Sequence, residues 1–304
     1  MTREPFVAIV NPHAGNGRCG QRAPQVIAEL ATHGLDIEAH YTRAPGEATR
    51  IAAELAANGK RRFIAVGGDG TSFEVLNGVA PWLALAPDAP GGRISLGFLP
   101  LGTGNSFLRD FGAGDTKSAI AALVQGRTRP CDVVRLEHDT GTLHYLNLLS
   151  LGFVTDICSL TNRHFKPLGA SGYVLGVLAT LAKLSSRAVR MRADDGAPRD
   201  QSMVFVCVCN SRFTGGRMMM APSADTSDGM ADVVVCDMDR LTLITTFPKI
   251  FQGRHVHHPG VSTSRIRRLE FLETEPLDMM IDGELVRHIP KRLDVRPAAL
   301  DVLV

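Results

Sequence analysis

What this chain goes without narrows the field before any motif is read. There is almost no excess of charge: 33 Lys and Arg stand against 31 Asp and Glu, a net of +2, so the electrostatics ask for no nucleic-acid partner. Long apolar runs are missing too. The longest, residues 173–184, is too short to cross about 30 Å of hydrocarbon. Met1-Thr2-Arg3-Glu4-Pro5 leads directly into a short strand-like segment rather than a signal peptide. The expectation is a soluble, cytoplasmic protein with at most a transient, peripheral contact at a membrane surface. Paired cysteine motifs are absent. Of Cys19, Cys131, Cys158, Cys207, Cys209 and Cys236, only Cys207 and Cys209 lie close, on one face of an apolar strand. No second pair completes a zinc set, and buried thiols in a reducing compartment are the simpler reading. His255, His257 and His258 have no acidic or thiol partner at ligand spacing and read as surface or strand-entry residues. Neither an internal repeat nor a low-complexity segment interrupts the chain, and 44% hydrophobic with 21% charged residues marks it as globular.

What is present is a pattern repeated three times in the first 105 residues: an apolar, β-like run, a glycine-rich loop, then a helix start. Phe6-Val7-Ala8-Ile9-Val10 meets Asn11-Pro12-His13-Ala14-Gly15-Asn16-Gly17. Phe63-Ile64-Ala65-Val66 meets Gly67-Gly68-Asp69-Gly70-Thr71, and Leu96-Gly97-Phe98-Leu99 meets Pro100-Leu101-Gly102-Thr103-Gly104-Asn105. In an open parallel sheet the carboxyl ends of the strands share one edge, so three such loops can converge on one crevice. Glycines admit an anion close to backbone N–H groups, and helix N-termini favour negative charge. The pattern predicts a phosphate site, most economically for a nucleotide.

Strands near 6–10, 35–41, 62–66 and 94–99 alternate with helices over 21–33, 46–58, 72–78 and 115–125, which predicts a doubly wound α/β domain over residues 1–130. Residues 81–93 read as a loop. From 131 to 304 the texture changes to β-branched runs at 133–136, 143–154, 204–209, 231–236, 269–272, 277–281, 293–296 and 300–304, with helices near 172–184 and 241–251. That predicts a mostly antiparallel β-sandwich, its last ten or so residues packing back on the first domain. Arg187, Arg190 and Arg192 follow the apolar 173–184 stretch and suggest a basic edge for a membrane.

Asp69 among its glycines can face a metal ion or a reacting hydroxyl. Thr71-Ser72-Phe73-Glu74 is also a capping box, the better single role for Glu74. Thr103 and Asn105 offer a hydroxyl and a carboxamide at a helix start, although Asn105 could be no more than an N-cap. Asp282-Gly283 between apolar runs is, taken alone, a hairpin turn, yet with Glu284 it could carry two carboxylates across to the first domain.

Together these motifs resemble the diacylglycerol/sphingosine lipid kinase family, especially its soluble bacterial diacylglycerol-kinase-like members. The resemblance rests on Asn11-Pro12-x-Ala14-Gly15-x-Gly17, Gly67 to Thr71 with Glu74 and Asn77-Gly78, Pro100 to Asn105, Gly215-Gly216 through Asp228-Gly229, and Asp282-Gly283-Glu284. It implies an ATP- and Mg2+-dependent enzyme with a lipid substrate between its two domains. It implies Asp282 as the general base with Glu284 beside it, and Asp69 against phosphates and metal. Asn11, Thr42, Gly67, Gly68, Gly70, Thr71, Gly102, Thr103 and Asn105 would contact the nucleotide, with Arg43 beside Thr42. Asp132 and Asp228 match a carboxylate–water–magnesium network at the domain junction. Exposed strand edges in the second domain would permit a homodimer. Two other readings compete: an NAD kinase, which shares the Gly-Gly-Asp-Gly loop, and a non-catalytic lipid- or nucleotide-binding regulator, which would have no need of a base.

Overall fold

The computed structural model describes residues 4–83, 92–102, 104–112, 114–153, 155 and 186–304. The expected helix at 172–184, most of the 81–93 loop, Cys158 and Thr103 lie outside these residues.

Strands β1 (Phe6–Val10), β2 (Ile37–Tyr41), β3 (Arg62–Gly67) and β4 (Ser95–Pro100) run parallel in the order β2-β1-β3-β4. β1 and β4 are buried nearly end to end because helices cover both faces. Alternate side chains of β1 serve different cores. Phe6, Ala8 and Val10 pack with α1 (Arg18–Thr32), while Val7 and Ile9 pack with α2 (Glu47–Ala57) and α3 (Asp69–Val79). α4 (Thr116–Gln125) joins the first of these, through Ala119 and Leu123. Ala48, Ala52 and Ala56 give α2 a small-residue face, and a Cβ on Gly78 of α3 would strike it.

The sandwich follows: β5 (Thr128–His138), β6 (Gly141–Tyr145), β7 (Leu148–Gly152), β8 (Arg187–Ala193), β9 (Arg199–Met203), β10 (Phe205–Cys209), the short β11 (Phe213–Thr214) and β12 (Met218–Met219), β13 (Ala231–Cys236), β14 (Val261–Ile266), β15 (Arg268–Phe271), β16 (Leu277–Ile281), β17 (Glu284–His288) and β18 (Pro290–Leu303). One antiparallel sheet has the order β14-β13-β10-β7-β16-β17. Facing it, β8, β9, β15, β18, β5 and β6 pair antiparallel, and Val134, Leu136, Leu151, Val206, Val233, Met279 and Leu293 fill the space between.

The second face is not a separate sheet. β18 also pairs parallel with β4, through Asp301 with Ser95 and Val302 with Leu96, so a single ten-stranded sheet runs through both halves. The runs expected at 293–296 and 300–304 are one strand, bent by a register shift between Arg296 and Leu300 where Ala298 has φ +47°.

Two expectations need correcting. Arg187, Arg190 and Arg192 lie in β8, a strand too charged to stand out in the sequence, and are not a free basic edge. Arg192 pairs with Glu270, and Arg190 stands 3.9 Å from Asp200. The helix expected over 241–251 is α5 (Arg240–Thr246), capped by Asp239, followed by a 3-10 turn from Phe247 to Gln252. Cys19, Cys131, Cys207, Cys209 and Cys236 are buried thiols.

Candidate active site

The three glycine loops do meet, and their glycines let them touch. The Asn11 N–H donates to Val66 O at 3.0 Å, Gly102 N–H to Gly67 O at 2.8 Å, and Asp69 N–H to Gly104 O at 3.0 Å. A Cβ on Gly102 would lie 2.7 Å from the Gly68 backbone, one on Gly15 2.9 Å from Leu101 O, and one on Gly104 2.8 Å from Asp69 Oδ2. Gly67 makes room for the side chain of Thr71, which is buried. Thr42 follows β2 and is buried, its N–H donating to Val10 O at 2.9 Å. The Asn105 carboxamide donates to Gly102 O at 3.3 Å. No side chain caps α3, whose N-cap is Gly68, so its first turn faces the loop cluster with the positive end of a helix.

From the sandwich, Asp282-Gly283 turns between β16 and β17 with φ +48° and +90°, the two-residue hairpin that the dipeptide signals. Its aspartate also does something a plain turn does not require. Asp282 Oδ1 accepts N–H groups from Asn147 and Leu148, both at 3.0 Å, and Oδ2 accepts from Leu146 at 2.9 Å. Burial raises the Asp282 carboxyl to about 7 despite these donors, and the charge of Asp69 adds to the rise. Burial likewise lifts Asp69 to about 6, against a 3.5 Å contact from Ser106 N–H. Glu284, at the start of β17, lays its carboxylate where a Cβ on Gly70 would go. Asp69, Asp282, Glu284 and the glycine loops therefore share one place, on the first turn of α3.

A buried carboxylate whose charge bears on a second one suits a hard divalent cation bound through oxygen, and Asp69 fits one. Asp132 and Asp228 do not join Asp69 in a direct three-ligand cluster. Among the described residues, no ligand atoms of Asp69, Asp132 and Asp228 gather within 4.8 Å. Asp132 instead accepts from Gly229 N–H at 2.6 Å and Ala298 N–H at 2.7 Å, pinning the bend in β18. Asp228 accepts from Met230 N–H at 2.9 Å and pairs with Arg265.

Several contacts at the junction could not be paired from the sequence, although Asn77 and Gly216 lie in motifs that carry the family resemblance. Asn77 of α3 exchanges hydrogen bonds with the backbone of His144, at 2.8 and 2.9 Å. Asp110 holds the backbone and guanidinium of Arg212, and Ser106 Oγ accepts Gly216 N–H at 2.9 Å. Glu74 is a cap, as expected, but of a different helix. Its oxygens accept from Gly46 N–H at 2.9 Å and Ala48 N–H at 3.1 Å, closing the N-terminus of α2 rather than of its own α3.

Residues 5–136 match the family model described as diacylglycerol kinase catalytic domain, and residues 147–304 match the YegS C-terminal NAD kinase beta sandwich-like domain. The chain is similar to a diacylglycerol kinase of Mycobacterium tuberculosis, 30% identical over 300 residues that cover 97% of this chain and 94% of that one. To a diacylglycerol kinase of Bacillus subtilis it is 28% identical over 286 residues, 93% and 90% of the two chains. A solved structure of a candidate diacylglycerol kinase from Bacillus anthracis superposes with a TM-score of 0.77 at 25% identity, covering 100% of this chain and 98% of that one.

Proposed function

The chain belongs to the diacylglycerol kinase family, and from that premise we propose that it transfers the γ-phosphate of Mg-ATP to the hydroxyl of a diacylglycerol or sphingoid-type lipid. The observation that carries the reading is Asp282: a buried carboxylate with a pKa of about 7, held by three backbone N–H groups, beside Asp69 at the mouth of the glycine loops.

Phosphoryl transfer needs positioning and charge stabilisation more than covalent help. Oδ1 of Asp282 is filled by two donors, while Oδ2 takes one and keeps a lone pair for the acceptor hydroxyl. As that proton moves to Oδ2, the hydroxyl oxygen attacks phosphorus and ADP departs. A base poised near the working pH is the efficient one. The loops at Asn11, Gly67, Gly68, Gly70, Thr71, Gly102 and Asn105, with the uncapped end of α3, hold the phosphates. Asp69 would hold the Mg2+ ion, which would supply charge neutralisation there. Asp132 and Asp228 steady the domain junction through the chain's own N–H groups and Arg265.

Contact with a membrane finds support in α5 and the turn after it. Leu241, Phe251 and Ile244 are 74%, 52% and 45% exposed, and the segment carries Arg240, Lys249 and Arg254. Among the described residues no helix is long and apolar enough to cross a membrane.

The test is transfer of labelled γ-phosphate from Mg-ATP to a panel of micellar lipids, with NAD as a parallel acceptor and Asp282→Asn as control. A labelled lipid lost in the variant supports the reading. Label on NAD alone would overturn it in favour of an NAD kinase, and ATP binding without transfer to any acceptor would overturn it in favour of a binding protein.

A further inference from the structure

We infer that His138, Asp139 and His288 form a binding site for a divalent transition-metal ion of the zinc class, apart from the kinase site. The three come from the end of β5, the turn after it and the end of β17, and the pairing of β18 with β5 sets His138 opposite Pro290 and so next to His288. His288 Nδ1 lies 3.4 Å and His138 Nδ1 3.6 Å from Asp139 Oδ1, and all three ligand atoms fall within 4.8 Å of one another. A tetrahedral ion with bonds of 2.0–2.1 Å needs ligand atoms about 3.3 Å apart, so both measured edges fit with a few tenths of an ångström of movement.

The two imidazole rings stack at 4.0 Å and 31°, turning both Nδ1 atoms toward the same side. Thr140 Oγ1 stands 3.2 Å from His138 Nδ1 and 3.4 Å from His288 Nδ1, and its N–H 3.4 Å from His138 Nδ1, so both ligand atoms face one spot, from which an ion would displace these contacts. Side-chain exposure grades from 6% for His138 to 27% for His288 and 33% for Asp139, so the group is anchored on its inner side and reachable from solvent on the other. Lys291 places a positive charge near the group, against which Asp139 supplies the compensating negative one.

Two imidazoles and one carboxylate suit zinc, nickel or copper; magnesium prefers oxygen alone. Three protein ligands leave a fourth position to water. β17 begins at Glu284 and ends at His288, about 13 Å farther at ~3.3 Å per residue, so an ion here would clasp the far ends of the strands whose near ends carry Asp282 and its donors. Neither the family match nor the proposed kinase chemistry calls for this site.

The experiment titrates the full chain, free of any polyhistidine tag and stripped with chelator, with Zn2+ in an excess of Mg2+. Co2+ serves in parallel as the spectroscopic probe. The expected result is one equivalent of tight binding, a tetrahedral Co2+ spectrum, and at least a tenfold loss of affinity in His288→Ala and, separately, in Asp139→Asn. His257→Ala, in the other histidine cluster, should bind as wild type. Circular dichroism checks that each variant folds; if His288→Ala does not, Asp139→Asn decides. Absence of a stoichiometric equivalent, or affinity unchanged in the folded variants, overturns the inference.

Discussion

Asp282→Asn should silence the enzyme and at the same time make its fold more resistant to heat at alkaline pH. Burial holds this carboxyl at about 7 against an ordinary 3.8, so ionising it in the native state carries a cost that the unfolded chain does not bear. Because the folded pKa is the higher one, the native chain keeps the proton longer, and stability declines as pH rises from about 4 to about 7 and stays lower above. That displacement corresponds to at most about 4 kcal/mol. An asparagine resembles the protonated acid only in part: Oδ1 still accepts from Asn147 and Leu148, but Nδ2 sets a donor against Leu146 N–H where the protonated Oδ2 still accepts, a fixed cost of about 1–3 kcal/mol at every pH. At pH 5 the unfolded carboxyl is already ionised and wild type has lost about 1–2 kcal/mol, which the fixed cost in the variant offsets, so the two should melt close together. At pH 8 the variant should melt several degrees higher, at roughly 2 °C per kcal/mol. Turnover should fall at least ~100-fold, the lower end of what a general base contributes. Thermal melts at both pH values, run beside the labelled-phosphate assay, read the two effects separately. A melting difference that is the same at pH 5 and pH 8 would refute the burial argument, and a variant keeping more than a tenth of the wild-type rate would refute the assignment of the base.

The same geometry makes four further predictions. With wild type, kcat/KM should climb about tenfold per pH unit up to about 7 and then level off; a profile already flat at pH 5 contradicts a base of this pKa. Gly70→Ala should displace the Glu284 carboxylate, the flexible end of a side chain, and so lower turnover with little change in melting temperature; unaltered turnover would show that Glu284 has no part at this spot. Gly102→Ala places a methyl 2.7 Å from the Gly68 backbone, which has no such freedom. It should cost about 1–3 kcal/mol of stability and weaken ATP binding at least tenfold by calorimetry. Glu74→Ala strips two acceptors from the N-terminus of α2 and should cost about 1 kcal/mol in denaturant melts.

How far the sequence could be read depended on whether the signal was local. β1, β3 and β4 were legible because each is a buried run ending in a glycine loop, and both the run and the loop sit within a dozen residues. The glycines have a second part that no local signal announces: Gly68, Gly102 and Gly104 also let one loop pack against another. β8 and β9 were illegible, since Arg187-Ala188-Val189-Arg190-Met191-Arg192 alternates charge with apolar residues, and only cross-strand partners such as Glu270 explain it. Asp282 was readable both as a turn and as a base, and it is in fact a turn with a carboxylate held by a distant loop. That loop, Leu146 to Leu148, lies more than a hundred positions away and carries no motif of its own. His138 and His288 are further apart still and meet only through strand register.

The continuity of β18 with β4 bears on how the molecule is made. Leu300 and Val302 sit in the same core as Val7, Phe63 and Leu96, so the amino-terminal half does not contain all of its own interior. On the ribosome β4 is complete at Pro100, while β18 starts only at Pro290. At about 5–20 residues per second the exposed flank of β4 waits roughly 10–40 s for its neighbour. Vectorial, domain-by-domain maturation is thereby denied to this chain. Until β18 arrives, its parallel sheet presents an open apolar edge, the kind of surface that chaperones shield and that aggregation exploits.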